Sequence, residues 1–176
     1  MVEIKEFIDK MRATSSSTDK IAIIAQSDAF IRDVIEATYN PYKQYYVTSK
    51  TCKKNSEKVA SGPVIPLLKL LNMLSTREVT GHDAIKLVNR FAQANVGWDL
   101  IYKIIDKDLG IRAGDSIINK AIPGLIPTFK VALAQEYKEE CNWEDNWYAS
   151  RKLDGVRCLA VTDENGKCTL YSRMGK

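Results

Sequence analysis

Histidine is almost missing from this sequence: His82 is the only one in 176 residues. That scarcity argues against catalysis by a histidine-activated nucleophile, and the position of His82, just after Thr80-Gly81, suits an exposed helix start. Cys52, Cys141, Cys158 and Cys168 form no C-x-x-C pair, which argues against structural zinc and for a reduced, cytosolic setting. No residue set is assigned as metal-ligating. No apolar run approaches the ~20 residues that a membrane span requires. The opening MVEIKEFIDKM carries acids on a helical period, unlike a signal or transit peptide.

What is present reads as soluble and globular, with 45% hydrophobic and 27% charged residues. The length suits one ordinary domain plus part of another. The formal charge of +4 is uneven: residues 1–129 hold 18 Lys/Arg against 14 Asp/Glu, and residues 130–176 hold eight of each. Lys43, Lys50, Lys53, Lys54 and Lys58 share a window with a single acid, Glu57, beside Tyr42, Tyr45 and Tyr46. These lysines either neutralise phosphates and release counterions or decorate a solvated loop.

The expected fold is mainly α. Ile4, Phe7, Ile8 and Met11 give the i, i+3, i+4, i+7 stripe of an amphipathic helix. Thr18 is placed as the cap of a second helix through Ile21, Ile24 and Ala25, and Ser27 as the cap of a third that stops at Asn40-Pro41. Pro66 suits the first turn of a leucine-rich helix. Thr80 is placed as the cap of a helix bearing Ile85, Val88 and Phe91. Trp98, Ile101, Ile104 and Ile105 mark another, and Asp115 or Ser116 opens a short last one. After Pro127 the pattern changes. Residues 136–145 hold five acids and one lysine, and strands are expected at 147–150, 156–162 and 168–172. Asn165-Gly166 predicts a type I′ turn between the last two. The resulting division is a helical domain over 1–128, a linker over 129–146 and a β-rich segment over 147–176.

The densest chemistry is Lys152-Leu153-Asp154-Gly155-Val156-Arg157. The pattern K-x-D-G-x-R should arise by chance on the order of once in several hundred chains of this length. A free lysine titrates near ~10.4 and is not nucleophilic at neutral pH until desolvation or nearby cations favour its neutral amine. Arg151 and Arg157 are the local cations. Gly155 allows close approach of a nucleotide to the backbone. Read without its flanks, the same hexapeptide is also an ordinary charged hairpin turn.

The hexapeptide resembles the nucleotide-attachment signature of covalent nucleotidyltransferases, the polynucleotide ligases and capping enzymes. Ser172-Arg173-Met174-Gly175 is similar to a second ligase signature, S-R-x-G. Upstream, Lys107 through Lys120 followed by Pro123-Gly124-Leu125-Ile126-Pro127 looks like the segment that closes the helical DNA-binding domain of phage-type ATP-dependent DNA ligases. By resemblance the chain is the N-terminal part of such a ligase: a helical DNA-binding domain followed by the start of an ATP-grasp-like α+β nucleotidyltransferase domain. The later motifs and an OB-fold domain would lie beyond residue 176.

The resemblance implies ATP and Mg2+ as cofactors and nicked double-stranded DNA as substrate. A sliding clamp is a candidate partner and no membrane is involved. The setting is cytoplasmic, in the host cell if the gene is phage-borne. Lys152 is the implied catalytic nucleophile, with Ser150, Arg151, Arg157 and Arg173 binding nucleotide. Ser150 departs from the acid or amide that the family often places there to face the adenine amino group. Lys107, Gly110, Arg112, Gly114, Ser116 and Lys120, with Lys53 and Lys54, are the implied DNA contacts. Gly110, Gly114 and the helix start at 115–116 are expected to offer backbone N–H groups to phosphates. The chain alone is expected to bind duplex DNA with little or no ligation. The alternatives are an RNA ligase or capping-type nucleotidyltransferase, and a non-catalytic helical module that binds DNA or protein.

Overall fold

Helix α1 (Val2–Ala13) forms where the sequence is most plainly amphipathic, and Ile4, Phe7, Ile8 and Met11 are all buried. It belongs to a computed structural model that describes residues 2–95, 99–129, 144, 146, 148–151 and 154–172. The chain divides into two compact units, Met1–Pro127 and Thr128–Lys176.

Two helix starts differ from expectation by a residue or two. Helix α2 (Ser17–Ala25) is capped by Ser16, whose hydroxyl accepts the Asp19 N–H at 3.2 Å. Thr18 already lies inside the first turn. Helix α3 (Ala29–Tyr39) is capped by Asp28, which accepts the Ile31 N–H at 2.8 Å. Ser27 is buried and donates its hydroxyl to the Ile24 carbonyl at 2.6 Å, closing α2 instead. In both places several capping residues stand side by side, and the one at the right distance from a free N–H is the one used.

Helix α4 (Ser49–Lys54) occupies the lysine-rich window. Helix α5 (Leu67–Ser75) buries Leu67, Leu70, Leu71 and Leu74, with Pro66 at the cap position. Helix α6 (Gly81–Ala94) buries Ile85, Val88 and Phe91, and His82 is exposed in its first turn; Thr80 stands at the cap position as expected but makes no side-chain cap hydrogen bond. Helix α7 (Leu100–Ile105) buries Leu100, Ile101, Ile104 and Ile105; Trp98 lies outside the described residues. Helix α8 (Asp115–Ala121) packs on α2. One continuous apolar core runs through these helices from Ile4 to Ile126. No helix among the described residues is long and apolar enough to cross a membrane.

In the second unit, β1 (Cys158–Thr162) pairs antiparallel with β2 (Cys168–Ser172), in register from Cys158 opposite Ser172 to Thr162 opposite Cys168. The Phe129 ring stacks on Tyr171 with centroids 5.5 Å apart. The turn is not the type I′ expected. Only Gly166 takes a positive φ, 79°. Its N–H donates to the Asp163 carbonyl at 3.0 Å, while the Asp163 carboxylate accepts the N–H groups of Asn165 and Lys167 at 3.0 and 2.9 Å. The result is a three-residue loop closed by a glycine bulge, selected by the aspartate one position before the turn. Residues 148–150 form no strand; Tyr148, Ala149 and Ser150 are exposed, and Trp147 lies outside the described residues. Strand propensity expresses itself only against a neighbour, and none pairs with 148–150 among the described residues.

Candidate nucleic-acid interface and nucleotide-attachment segment

The segment over 107–114 crosses the helical unit as a strap. Leu109, Ile111 and Ala113 point into the core, while Asp108, Arg112 and Gly114 are exposed. Its path needs three left-handed residues: Lys107 at φ 65°, Gly110 at 69° and Arg112 at 51°. For residues other than glycine this conformation costs roughly 1–2 kcal/mol each, so the surroundings must hold it. They do so with cations placed on carbonyls. Lys107 donates to the Ala37 and Asn40 carbonyls at the end of α3, both at 3.1 Å, with its ammonium 4.7 Å from the Tyr45 ring centroid. Lys20, buried at 4% exposure, reaches the Arg112 carbonyl at 2.8 Å. Arg12 donates to the carbonyls of Gly110 and Leu109 at 3.1 and 3.4 Å. The Tyr39 hydroxyl is pushed up to about 12 by burial, partly opposed by a hydrogen bond with the Leu109 backbone.

The proposed phosphate contacts therefore divide. Lys107 is turned inward and holds the end of α3. The Gly110 N–H is already donated to the Asp108 carboxylate at 2.7 Å, and the Ser116 N–H to the Asp115 carboxylate at 2.9 Å. Neither is the open donor that the sequence suggests, because an aspartate one or two residues upstream reaches it first. The side chains of Arg112, Ser116 and Lys120 remain on the exposed surface with Gly114. Ser116 and Lys120 lie one turn apart on α8 and share a face. Asn119 pins the loop over 123–127, its amide donating to the Ile126 carbonyl at 2.8 Å and accepting the Ile126 N–H at 2.9 Å.

Lys53 and Lys54 come from α4, which packs on α6 and α7 rather than on α8. Lys53 pairs with Asp99 at 3.4 Å and lies 4.8 Å from the Tyr102 ring centroid, while Lys54 is exposed. Other lysines of this window have local partners: Lys43 pairs with Glu36, and Lys58 donates to Asn55 at 2.8 Å. Tyr45 is buried, its hydroxyl on the Ala37 carbonyl at 2.6 Å.

Three residues that hold these surfaces, Lys20, Asn89 and Arg12, have no motif. Lys20 and Asn89 nevertheless carry a signal, since each is a polar residue on the buried stripe of its helix, four residues from Ile24 and Ile85 respectively. In the second unit Ser150, Arg151, Asp154, Gly155 and Arg157, in and beside the K-x-D-G-x-R segment, are exposed. Lys152 and Arg173 lie outside the described residues. No group of three or more His, Cys, Asp or Glu among the described residues is arranged to hold a metal ion.

No protein-family model matches the chain. It is 29% identical to the DNA ligases of Enterobacteria phage T4 and Enterobacteria phage T6 over 185 residues, covering 98% of this chain and 38% of each relative. Among solved structures it is similar to Pmar-Lig_PreS3 and Pmar-Lig_Pre, each with a TM-score of 0.69, at 25% and 27% identity. Those likenesses cover 98% of this chain and 42% of theirs. The chain thus spans well under half the length of the relatives it matches, and the resemblance to phage DNA ligases runs along nearly all of it.

Proposed function

We propose that this chain belongs to an ATP-dependent DNA ligase of the phage type, as the part that grips duplex DNA and carries the nucleotide-attachment lysine. The observation that carries the reading is the end-to-end likeness to two phage DNA ligases, with the K-x-D-G-x-R motif inside the matched length. The helical unit contributes the DNA contact. Arg112, Ser116 and Lys120, with Gly114 permitting close approach, and Lys53 and Lys54 from α4 meet the backbone of the duplex. Such contacts position the protein without reading sequence.

The second unit contributes the chemistry. The neutral amine of Lys152 attacks the α-phosphorus of ATP; a P–N bond forms as the bond to the departing pyrophosphate breaks. The AMP then passes to the 5′-phosphate of a nick, and the 3′-hydroxyl displaces it. Arg151 and Arg157 favour the neutral amine and, with Arg173, balance phosphate charge. In this reading Ser150 is the residue that faces the base. The exposed Arg151 and Arg157 fit a phosphate-bearing ligand, whereas no described acid cluster fits Mg2+, so no step here is assigned to the metal.

The test is fluorescence anisotropy of the 176-residue chain with nicked duplex, intact duplex and single-stranded DNA across a salt series. Four cationic contacts imply a slope of log K against log salt of about −4. A folded chain without salt-dependent duplex binding would remove the DNA half of the reading. For the attachment half, α-labelled ATP should label the full-length protein and fail to label its Lys152→Ala variant. Labelling that survives this substitution would overturn it.

A further inference from the structure

Helix α4 is an improbable helix by local rules. Its six residues, Ser-Lys-Thr-Cys-Lys-Lys, include three cations. Lys50, Lys53 and Lys54 stand at i, i+3 and i+4, where like charges repel across one face. Helices this short are not stable alone, and the only residue α4 buries is Cys52. Something outside the segment must hold it.

Both ends are in fact held by polar side chains from distant elements. At the N-terminus, the carboxylate of Asp106, directly after α7, accepts the Ser49 N–H at 2.9 Å and also the Ser49 hydroxyl. Thr48 adds a side-chain cap on the Thr51 N–H at 3.2 Å. At the C-terminus, the amide of Asn89 from α6 reaches three carbonyls, those of Cys52 at 3.2 Å, Asn55 at 2.7 Å and Lys58 at 3.1 Å. Asn89 is 1% exposed, and its own oxygen accepts the Tyr102 hydroxyl at 3.3 Å. A buried amide with every polar atom engaged fixes one geometry rather than an ensemble.

We infer that Asn89 and Asp106 are positioning residues that clamp α4 so that Lys50, Lys53 and Lys54 form one rigid contact on the DNA backbone. The inference rests on the DNA-binding reading above and extends it by adding Lys50 to the contact and naming the two residues that set it. Held at both ends, α4 keeps the exposed side chains of Lys50, Lys53 and Lys54 in a fixed relation to one another, the arrangement that contact with a polyanion requires. Pre-ordered lysines give up less freedom on binding than lysines on a loop.

The experiment is binding of the 176-residue chain to nicked duplex, with Asn89→Ala, Asp106→Ala and the pair Lys53→Ala/Lys54→Ala, alone and combined. Asp106 is exposed, so its variant keeps the test open should Asn89→Ala fail to fold. It also carries a sign: losing an acid should by itself tighten binding to a polyanion, whereas loosening α4 weakens it. We expect roughly five- to tenfold weaker binding for each clamp variant, a salt slope smaller by about one to two, and little further loss once Lys53 and Lys54 are gone. Clamp variants that bind as the parent does, bind more tightly, or lose affinity additively with the lysine pair would overturn the inference. So would a lysine pair variant that binds like the parent; duplex binding by the parent chain would then still stand. Only an absence of duplex binding by the folded parent would take the DNA reading down as well.

Discussion

At the residue scale, the strap between α7 and α8 shows how a fold uses single cations as backbone ligands. Lys20, Lys107 and Arg12 place their charges on carbonyls of segments far away in sequence, and each hydrogen bond from a charged donor is stronger than a neutral one. Gly110 sits where two demands meet. Its φ is 69°, and a Cβ there would lie 2.5 Å from the Arg12 guanidinium. Gly110→Ala should therefore cost about 2 kcal/mol in urea unfolding, most of it from the left-handed backbone. In an Arg12→Ala background the penalty should shrink, because the side chain being displaced is gone. Equal penalties in both backgrounds would mean that Arg12 moves aside freely and the backbone alone sets the cost.

At the scale of elements, α4 faces both solvent and a competitor for its charge. Asp99 holds Lys53 at 3.4 Å, with both side chains more than half exposed. A pair of that kind stabilises a protein by little, about 0–1 kcal/mol, so its loss should hardly shift unfolding. Its effect on a polyanion should be larger, since Asp99 both occupies Lys53 and adds negative charge beside it. Asp99→Asn is expected to tighten duplex binding about two- to threefold at moderate salt, at nearly unchanged stability. Unchanged or weaker binding in the same titration would mean that Lys53 does not meet DNA. The hairpin teaches the complementary lesson. Asn-Gly in a turn usually means a tight two-residue loop, yet Asp163 captures two N–H groups and a three-residue loop forms instead.

At the scale of the whole helical unit, the core holds weak acids in their neutral form. Cys52 is pushed up to about 11 and Tyr39 to about 12, in each case first by burial, and Tyr45 is raised further by burial and by Glu36. Each group is uncharged when protonated, so the folded state keeps protons that the unfolded chain releases. Their contribution is whole below the ordinary thiol value of 9.0 and declines as pH climbs through the raised values. The urea midpoint should accordingly fall as pH rises from about 9 to about 11. Cys52→Ala, less stable at neutral pH because of the cavity it opens, should lose less across that interval. A midpoint that stays level, or a decline as steep in the variant, would contradict the assignment to Cys52.

Local sequence determined the helical stripes, since Ile4-Phe7-Ile8-Met11 and Ile85-Val88-Phe91 need only the 3.6-residue period to declare a buried face. It also determined the hairpin strands, although the first begins at Cys158 and not at the expected Val156, and the K-x-D-G-x-R motif, whose residues are adjacent along the chain. Capping residues were legible in kind but not in position, because Thr18 and Ser27 compete with neighbours able to make the same bond. Tertiary structure decided the rest. Arg12 meets Gly110 across 98 residues, Lys20 meets Arg112 across 92 and Lys107 meets Ala37 across 70. Asn89 reaches Cys52 across 37. No local pattern specifies such partners: a hydrophobic stripe says which face turns inward, while a buried polar group must find the particular carbonyl that satisfies it. That search turns Lys107 from an outward phosphate contact into an inward support, and makes a helix of six residues that have almost no helical pattern of their own.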